Sequence, residues 1–191
     1  MSAALTVGVL AVQGAFAEHR EALLRAGANP REIRGPRELD GIDALILPGG
    51  ESTAQGRLLR ELGLFEPISK MIADGLPVFG TCAGMILLAK NIENDARRHF
   101  AAMDITVRRN GYGRQLASFA ARGRFARHDG VEMVFIRAPY ITAAGPDVEI
   151  LAEIDGRAVA AREGRMLAAA FHPEMTPDLR VLEYFLEMAR A

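Results

Sequence analysis

Cys82 is the single cysteine in 191 residues, and it stands in Gly80-Thr81-Cys82-Ala83-Gly84. A lone cysteine in an apolar stretch is ordinarily buried and inert. Here the run follows an apolar segment (residues 76–80) and precedes another (residues 85–90). It is the cysteine counterpart of the G-x-S-x-G elbow, in which a nucleophile sits at the tip of a sharp turn between strand and helix. Glycines on both flanks remove the Cβ atoms that such a turn would crowd. The same turn sets the sulfur near a helix N-terminus, where free backbone N–H groups and the helix dipole favour a thiolate.

A thiolate that attacks a carbonyl carbon needs a proton carrier and donors for the developing oxyanion. His172-Pro173-Glu174 provides the first. Proline is expected to hold itself and the preceding residue extended, so that imidazole and carboxylate share one side and the carboxylate orients the ring. The triad order is then Cys82, His172, Glu174. For the oxyanion, the backbone N–H groups of Ala83 and of the Gly49-Gly50 turn are the candidates. His19, His99 and His128 lie among charged residues and read as members of solvated faces.

The elements that must position these groups repeat as strand, glycine turn and helix. Residues 5–12 form a β-branched apolar run that breaks at Gln13-Gly14, and helical spacing of Phe16, Leu23 and Leu24 follows. Residues 43–47 form a second buried strand, ending at Pro48-Gly49-Gly50 and opening into a helix through Ser52 and Thr53. Residues 76–80, the elbow and a helix over 85–90 make the third unit. Such units predict an α/β fold of three layers, flavodoxin-like, with a mostly parallel central sheet and helices on both faces. Short strands are expected at 104–108, 132–136, 148–154, 158–162 and 166–171, forming an antiparallel extension whose last strand returns to the core. A final helix from Pro177 to about Arg190 takes Thr176 as its N-cap. Ligands of open α/β sheets bind beyond the carboxyl ends of the strands, which is where Gly49-Gly50, Cys82 and His172 all fall.

Composition narrows the class of function. A net charge of −1, with lysine only at positions 70 and 90, gives no field that would draw nucleic acid or an anionic membrane. One cysteine permits neither an internal disulfide nor a cysteine-rich metal site. No apolar stretch reaches the ~20 residues of a membrane span, and no secretory signal pattern opens the chain. One domain over residues 1–191 and a cytoplasmic location are the expectations.

These motifs resemble the class I glutamine amidotransferases, which pair a G-x-C-x-G elbow with a downstream H-P-E. Within them, Val9-Leu10-Ala11-Val12-Gln13-Gly14-Ala15, Leu47-Pro48-Gly49-Gly50-Glu51-Ser52-Thr53, Arg109-Asn110-Gly111-Tyr112-Gly113-Arg114-Gln115 and Ile136-Arg137-Ala138-Pro139 resemble the glutaminase subunits of pyridoxal 5′-phosphate synthases. The resemblance covers essentially the whole chain. It implies a Cys82, His172, Glu174 triad and an oxyanion hole at Gly50 and Ala83. It also implies L-glutamine held by Gly49, Gly50, Glu51, Arg109, Ile136 and Arg137, with no metal or organic cofactor. The implied partner is a synthase subunit, in a hetero-oligomer of twelve copies of each chain. That partner combines the released ammonia with a pentose phosphate and a triose phosphate. A free glutaminase is implied to be poorly active, because the Gly49-Gly50 peptide is correctly oriented only once the synthase docks. Gly111 departs from the pattern, standing where serine is expected.

Other readings are separable by assay. The glutaminase of a different synthase, such as that for imidazole glycerol phosphate, would channel ammonia to that synthase instead. A cysteine peptidase or deglycase of related fold would not show glutamine hydrolysis that vanishes in Cys82→Ala. A non-catalytic interaction subunit would release no glutamate even with its synthase present.

Overall fold

The computed structural model describes residues 4–112 and 118–191. Its first half alternates strand and helix: β1 (Thr6–Leu10), α1 (Phe16–Arg25), β2 (Asn29–Ile33), β3 (Ala44–Leu47), α2 (Ser52–Glu61), α3 (Phe65–Ala73), β4 (Val78–Thr81) and α4 (Ala83–Leu88). The second half is mostly strand: β5 (Ala89–Ile92), β6 (Met103–Arg108), β7 (Ser118–Phe125), β8 (His128–Ile136), β9 (Tyr140–Ala144), β10 (Glu149–Ile154), β11 (Arg157–Glu163) and β12 (Met166–Ala169). Helix α5 (Arg180–Arg190) closes the chain.

The strands β2-β1-β3-β4-β12 pair in that order, all parallel. This is the flavodoxin-like order, with its topological switch between β1 and β3. Every residue of β3 (ALIL) and β4 (VFGT) is buried, as central strands covered on both faces require. Polar β2, with Pro30, takes the edge, where a missing ladder donor is tolerated. Because the chain leaves β1 towards one edge and β3 towards the other, right-handed crossovers put α1 and α2–α3 on opposite faces. Helix α5 joins the α1 face, where Leu182 and Ala22 line one small void with Phe79, and α4 packs with α2 on the other. Beyond β12 the sheet turns antiparallel through β11 and β9, with β10 against β11, then reaches β6 and β5. A separate antiparallel pair, β7–β8, completes the expected extension.

Several boundaries differ from the sequence reading. The helix after the elbow stops at Leu88, and residues 89–92 peel off as β5, where Ala89 and Ile92 are buried in the ladder with β6. The final helix begins at Arg180, three residues after Pro177. Its opening N–H is taken by Asp178 (3.1 Å), while Thr176 bonds Asp178 N and the Pro173 carbonyl within the preceding turn. One continuous cluster of buried apolar side chains joins both halves, anchored by Phe79, Phe125, Phe135, Phe171 and Phe185. No helix among the described residues is long and apolar enough to cross a membrane.

Candidate active site

Cys82 follows β4 directly, with φ 48° and ψ −101°, a left-handed backbone that a side chain adopts only under constraint. Two features impose it. The Cys82 N–H donates to Ala169 O of the neighbouring β12 (2.8 Å), and Gly84 passes so close to the Leu47 carbonyl that a Cβ there would collide with it. The elbow is therefore as the glycine spacing predicted. The residue is 7% exposed, and its sulfur lies 3.9 Å from Ile136 O at the end of β8.

His172 leaves the end of β12 and donates its backbone N–H to Val134 O of β8 (2.8 Å). The expected extended conformation holds for His172 (φ −111°, ψ 85°) and not for Pro173, which opens a 3-10 turn over Pro173–Met175. That turn folds Glu174 back under the ring, and His172 Nδ1 lies 2.7 Å from Glu174 Oε1. Both side chains are almost wholly buried, and His172 Nε2 has no hydrogen-bond partner among the described residues. Burial works against a charged imidazole, but the Cys82 sulfur and the Glu174 carboxylate outweigh it, raising the His172 pKa to about 10. Glu174 is correspondingly held below the ordinary carboxylate range: burial opposes ionisation, and His19 and His172 overcome it.

A cleft of about 390 Å³ opens above these groups, at the carboxyl ends of the parallel strands. Its lining includes Cys82, His172, Gly49, Gly50, Glu51, Arg109, Ile136 and Arg137, so the residues nominated from sequence converge. Glu174 lies beneath the cleft rather than in its wall, and Ala83 is buried at the start of α4. A Cβ on Gly49 would strike His172 Cε1 and approach the Cys82 Cβ. Its carbonyl accepts from Ala15 N (3.0 Å). Glu51 caps α2 through Thr53 N (3.0 Å) and Ala54 N (2.7 Å) and pairs with Arg109 (3.2 Å), which also reaches Asp95 (3.5 Å). Burial of Glu51 is more than offset by those donors and Arg109, leaving its carboxyl below its usual range. One wall of the cleft thus offers a cation and an anion side by side. No group of three or more His, Cys, Asp or Glu side chains among the described residues is arranged to hold a metal ion.

Residues 9–191 match the SNO glutamine amidotransferase family. The chain belongs to that family. Among its curated relatives, pyridoxal 5′-phosphate synthase subunit PdxT of Bifidobacterium longum is 52% identical, the match covering 95% of this chain and 99% of the relative. The PdxT of Methanocorpusculum labreanum is 54% identical over 96% and 97%. A crystal structure titled glutamine amidotransferase superposes with a TM-score of 0.92 at 44% identity, covering 97% of this chain and 99% of that one. A further glutamine amidotransferase structure, from Thermotoga maritima, shares the fold at a TM-score of 0.64 and 13% identity, covering 99% of this chain and 84% of that one.

Within this SNO family member, three polar residues near the site hold positions that no local motif assigns them. Gln13 accepts from Glu51 N (2.8 Å) through its side chain and from Gln55 Nε2 (3.0 Å) through its backbone, bracing the Gly50 turn. Thr81 and His19 form a buried pair beside Glu174 (3.0 Å), so His19 is no solvated-face residue; at 1% exposure it belongs to the core. Its spacing to Ala22 and Leu23, three and four residues on, was the available signal, since both are buried on the same helix face. Gly111, where serine was expected, has the Tyr140 ring lying where a Cβ would project. Arg157 stacks on both Tyr112 and Tyr140 and donates to Gly111 O (3.3 Å), so packing fills the space there. Gly113, Arg114 and Gln115 of that motif lie outside the described residues.

Proposed function

We propose that this chain hydrolyses L-glutamine to L-glutamate and ammonia and delivers the ammonia to a synthase subunit that forms pyridoxal 5′-phosphate. Its family and its curated relatives of about half identical sequence support the reading. The observation that carries it is a strained, elbow-borne Cys82 beside a buried His172–Glu174 pair, in a cleft walled by Glu51 and Arg109.

In this reading Glu51 receives the substrate ammonium and Arg109 its α-carboxylate, which leaves the side-chain amide over Cys82. The thiolate attacks the amide carbon, and the carbonyl electrons move to oxygen, to which the N–H groups of Gly50 and Ala83 donate hydrogen bonds. Collapse of this intermediate breaks the C–N bond as the His172 imidazolium gives its proton to the departing nitrogen, and ammonia leaves. Neutral His172 then takes a proton from water as the oxygen attacks the glutamyl thioester. The Cys82 thiolate departs, the imidazolium is restored and glutamate is released. Glu174 keeps the ring in register and stabilises its charged form throughout. The Gly49 carbonyl, held by Ala15 N–H, fixes the Gly49-Gly50 peptide. If synthase docking reorients that peptide, as the resemblance implies, this bond is what the reorientation must break.

The reading includes one glutaminase domain over residues 1–191, a cytoplasmic setting and an assembly of twelve copies of each subunit. Its test is glutamate release measured with and without the synthase. Little release is expected from the chain alone, a large rise in the complex and none from Cys82→Ala in the complex. A complex that forms yet releases no glutamate would leave only a non-catalytic interaction subunit.

A further inference from the structure

The steps above leave one buried histidine unused. His19 lies on α1, and its Nε2 is 3.0 Å from Thr81 Oγ1 and 3.4 Å from Glu174 Oε2. The two oxygens of Glu174 differ sharply in their surroundings. Oε1 meets His172 Nδ1, whereas Oε2 is buried without a hydrogen bond among the described residues. A buried carboxylate oxygen lacking a donor carries a large desolvation penalty, and His19 Nε2 lies 3.4 Å from it.

The tautomer follows from the electrostatics. A lone pair on Nε2 would oppose the lone pairs of an ionised carboxylate across 3.4 Å. A proton on Nε2 is instead accepted by Thr81 Oγ1 and turns the positive end of the N–H dipole toward Glu174 Oε2, 3.4 Å away. Burial keeps the His19 ring neutral, with its pKa below the usual histidine value. Glu174 and Glu18 pull against that, and His172 reinforces it. Asp178, from the turn before α5, lines the same small void. At 3.4 Å the contact with Oε2 is electrostatic rather than a hydrogen bond.

We propose that His19, as its Nε2–H tautomer, is a positioning residue of the triad. It steadies Glu174 Oε2, so that Oε1 stays aligned on His172 Nδ1, and it acts on Cys82 through that chain. The inference rests on the glutaminase reading given above. A purely structural role would be the packing of the His19 ring against Phe79, whose centroid is 6.5 Å away in an edge-on arrangement.

The test uses the full chain bound to its synthase. His19→Leu and His19→Asn should each lower kcat about tenfold or more with KM for glutamine unchanged, as stripping a buried carboxylate oxygen of its remaining polar neighbour implies. His19→Gln, whose amide nitrogen can reach the Nε2 position, should retain most activity. In a Glu174→Gln background, His19→Leu should cause no further loss, because nothing remains for it to position. Alkylation of Cys82 by iodoacetamide at neutral pH, measured on the chain alone, should fall in the same variants and recover in His19→Gln. The inference is overturned if His19→Leu acts additively on Glu174→Gln, if His19→Gln is as impaired as His19→Leu, or if alkylation is unchanged. Should His19→Leu fail to fold, His19→Asn and His19→Gln decide between the same outcomes. Glutamate release that persists in Cys82→Ala would instead sink the glutaminase reading, and the inference with it.

Discussion

Replacing Glu174 by glutamine keeps the shape of the side chain and removes its charge from a 2.7 Å contact with His172. A hydrogen bond to a charged group is worth about 1.5–3 kcal/mol, or about one to two pKa units at 1.36 kcal/mol each. His172 stands at about 10 in the native chain, so in Glu174→Gln it should titrate at about 8 to 9. The sign is fixed, since losing a neighbouring anion disfavours the imidazolium. At pH ~9 the ring would then go from roughly nine-tenths protonated to between roughly a tenth and a half. The chain has only four histidines, so NMR titration of labelled histidine resolves the ring directly, with His172→Asn assigning its signal. In the proposed reaction the imidazolium supplies the proton to departing ammonia, so the alkaline limb of kcat/KM should move down by the same interval. If His172 titrates at the same pH in both proteins, Glu174 does not hold its charge and the reasoning fails.

Other perturbations follow from the same geometry. Gly49→Ala puts a Cβ against His172 Cε1 and should cut kcat about a hundredfold, as small misplacements of catalytic groups do, with circular dichroism showing an intact fold. Arg109→Ala should raise KM for glutamine about tenfold or more with a smaller change in kcat, as expected of a charge that binds ground state and transition state alike. Gly111→Ser should cost about 1–3 kcal/mol by overpacking against Tyr140, and thermal unfolding should show Gly111→Ser and Tyr140→Ala combining less than additively. The two buried histidines should act oppositely on stability. His19, depressed below 6.5, contributes stability that is present above that pH and lost as pH falls below it. His172, raised, contributes stability present below 6.5 and lost as pH rises towards about 10. Urea unfolding from pH 5 to 7 should therefore be flatter in His19→Gln than in the native chain, and from pH 7 to 10 flatter in His172→Asn.

What could be read from sequence was whatever a local pattern encodes. Gly80 and Gly84 around Cys82 announce a turn because no other residue fits there, and β3 and β4 announce central strands through short, uncharged runs bounded by glycine turns. The polar edge strand β2 carries no such run, since one side of it faces solvent and its pairing comes from β1. The helix after the elbow was extended into β5 because Ala89 and Lys90 are both good helix formers, and pairing with β6 overrides that preference. Within the site, Cys82, His172 and Glu174 declared themselves through their neighbours. His19 did not, because Glu18 and Arg20 beside it suggested a wet surface, while helical phase turns its ring inward between them. Gln13, likewise, acts through a fold-dependent contact with a residue far along the chain.

The ladder between β4 and β12 has a consequence for how such a chain can vary. Thr81 and Ala169 are direct partners in it, and Cys82 N–H continues it to Ala169 O. Cys82 and His172 thus stand just beyond adjacent strand ends, one residue past β4 and three past β12, where neighbouring strands lie roughly 4.8 Å apart. Nearly half the molecule, from α4 through β11, is an excursion that leaves one strand and returns on the next. Loops of that excursion away from the cleft can lengthen, shorten or acquire new surfaces for a partner, whereas β8, which holds the His172 N–H and ends at Ile136, and the turns carrying Arg109 and Arg137 must keep their places.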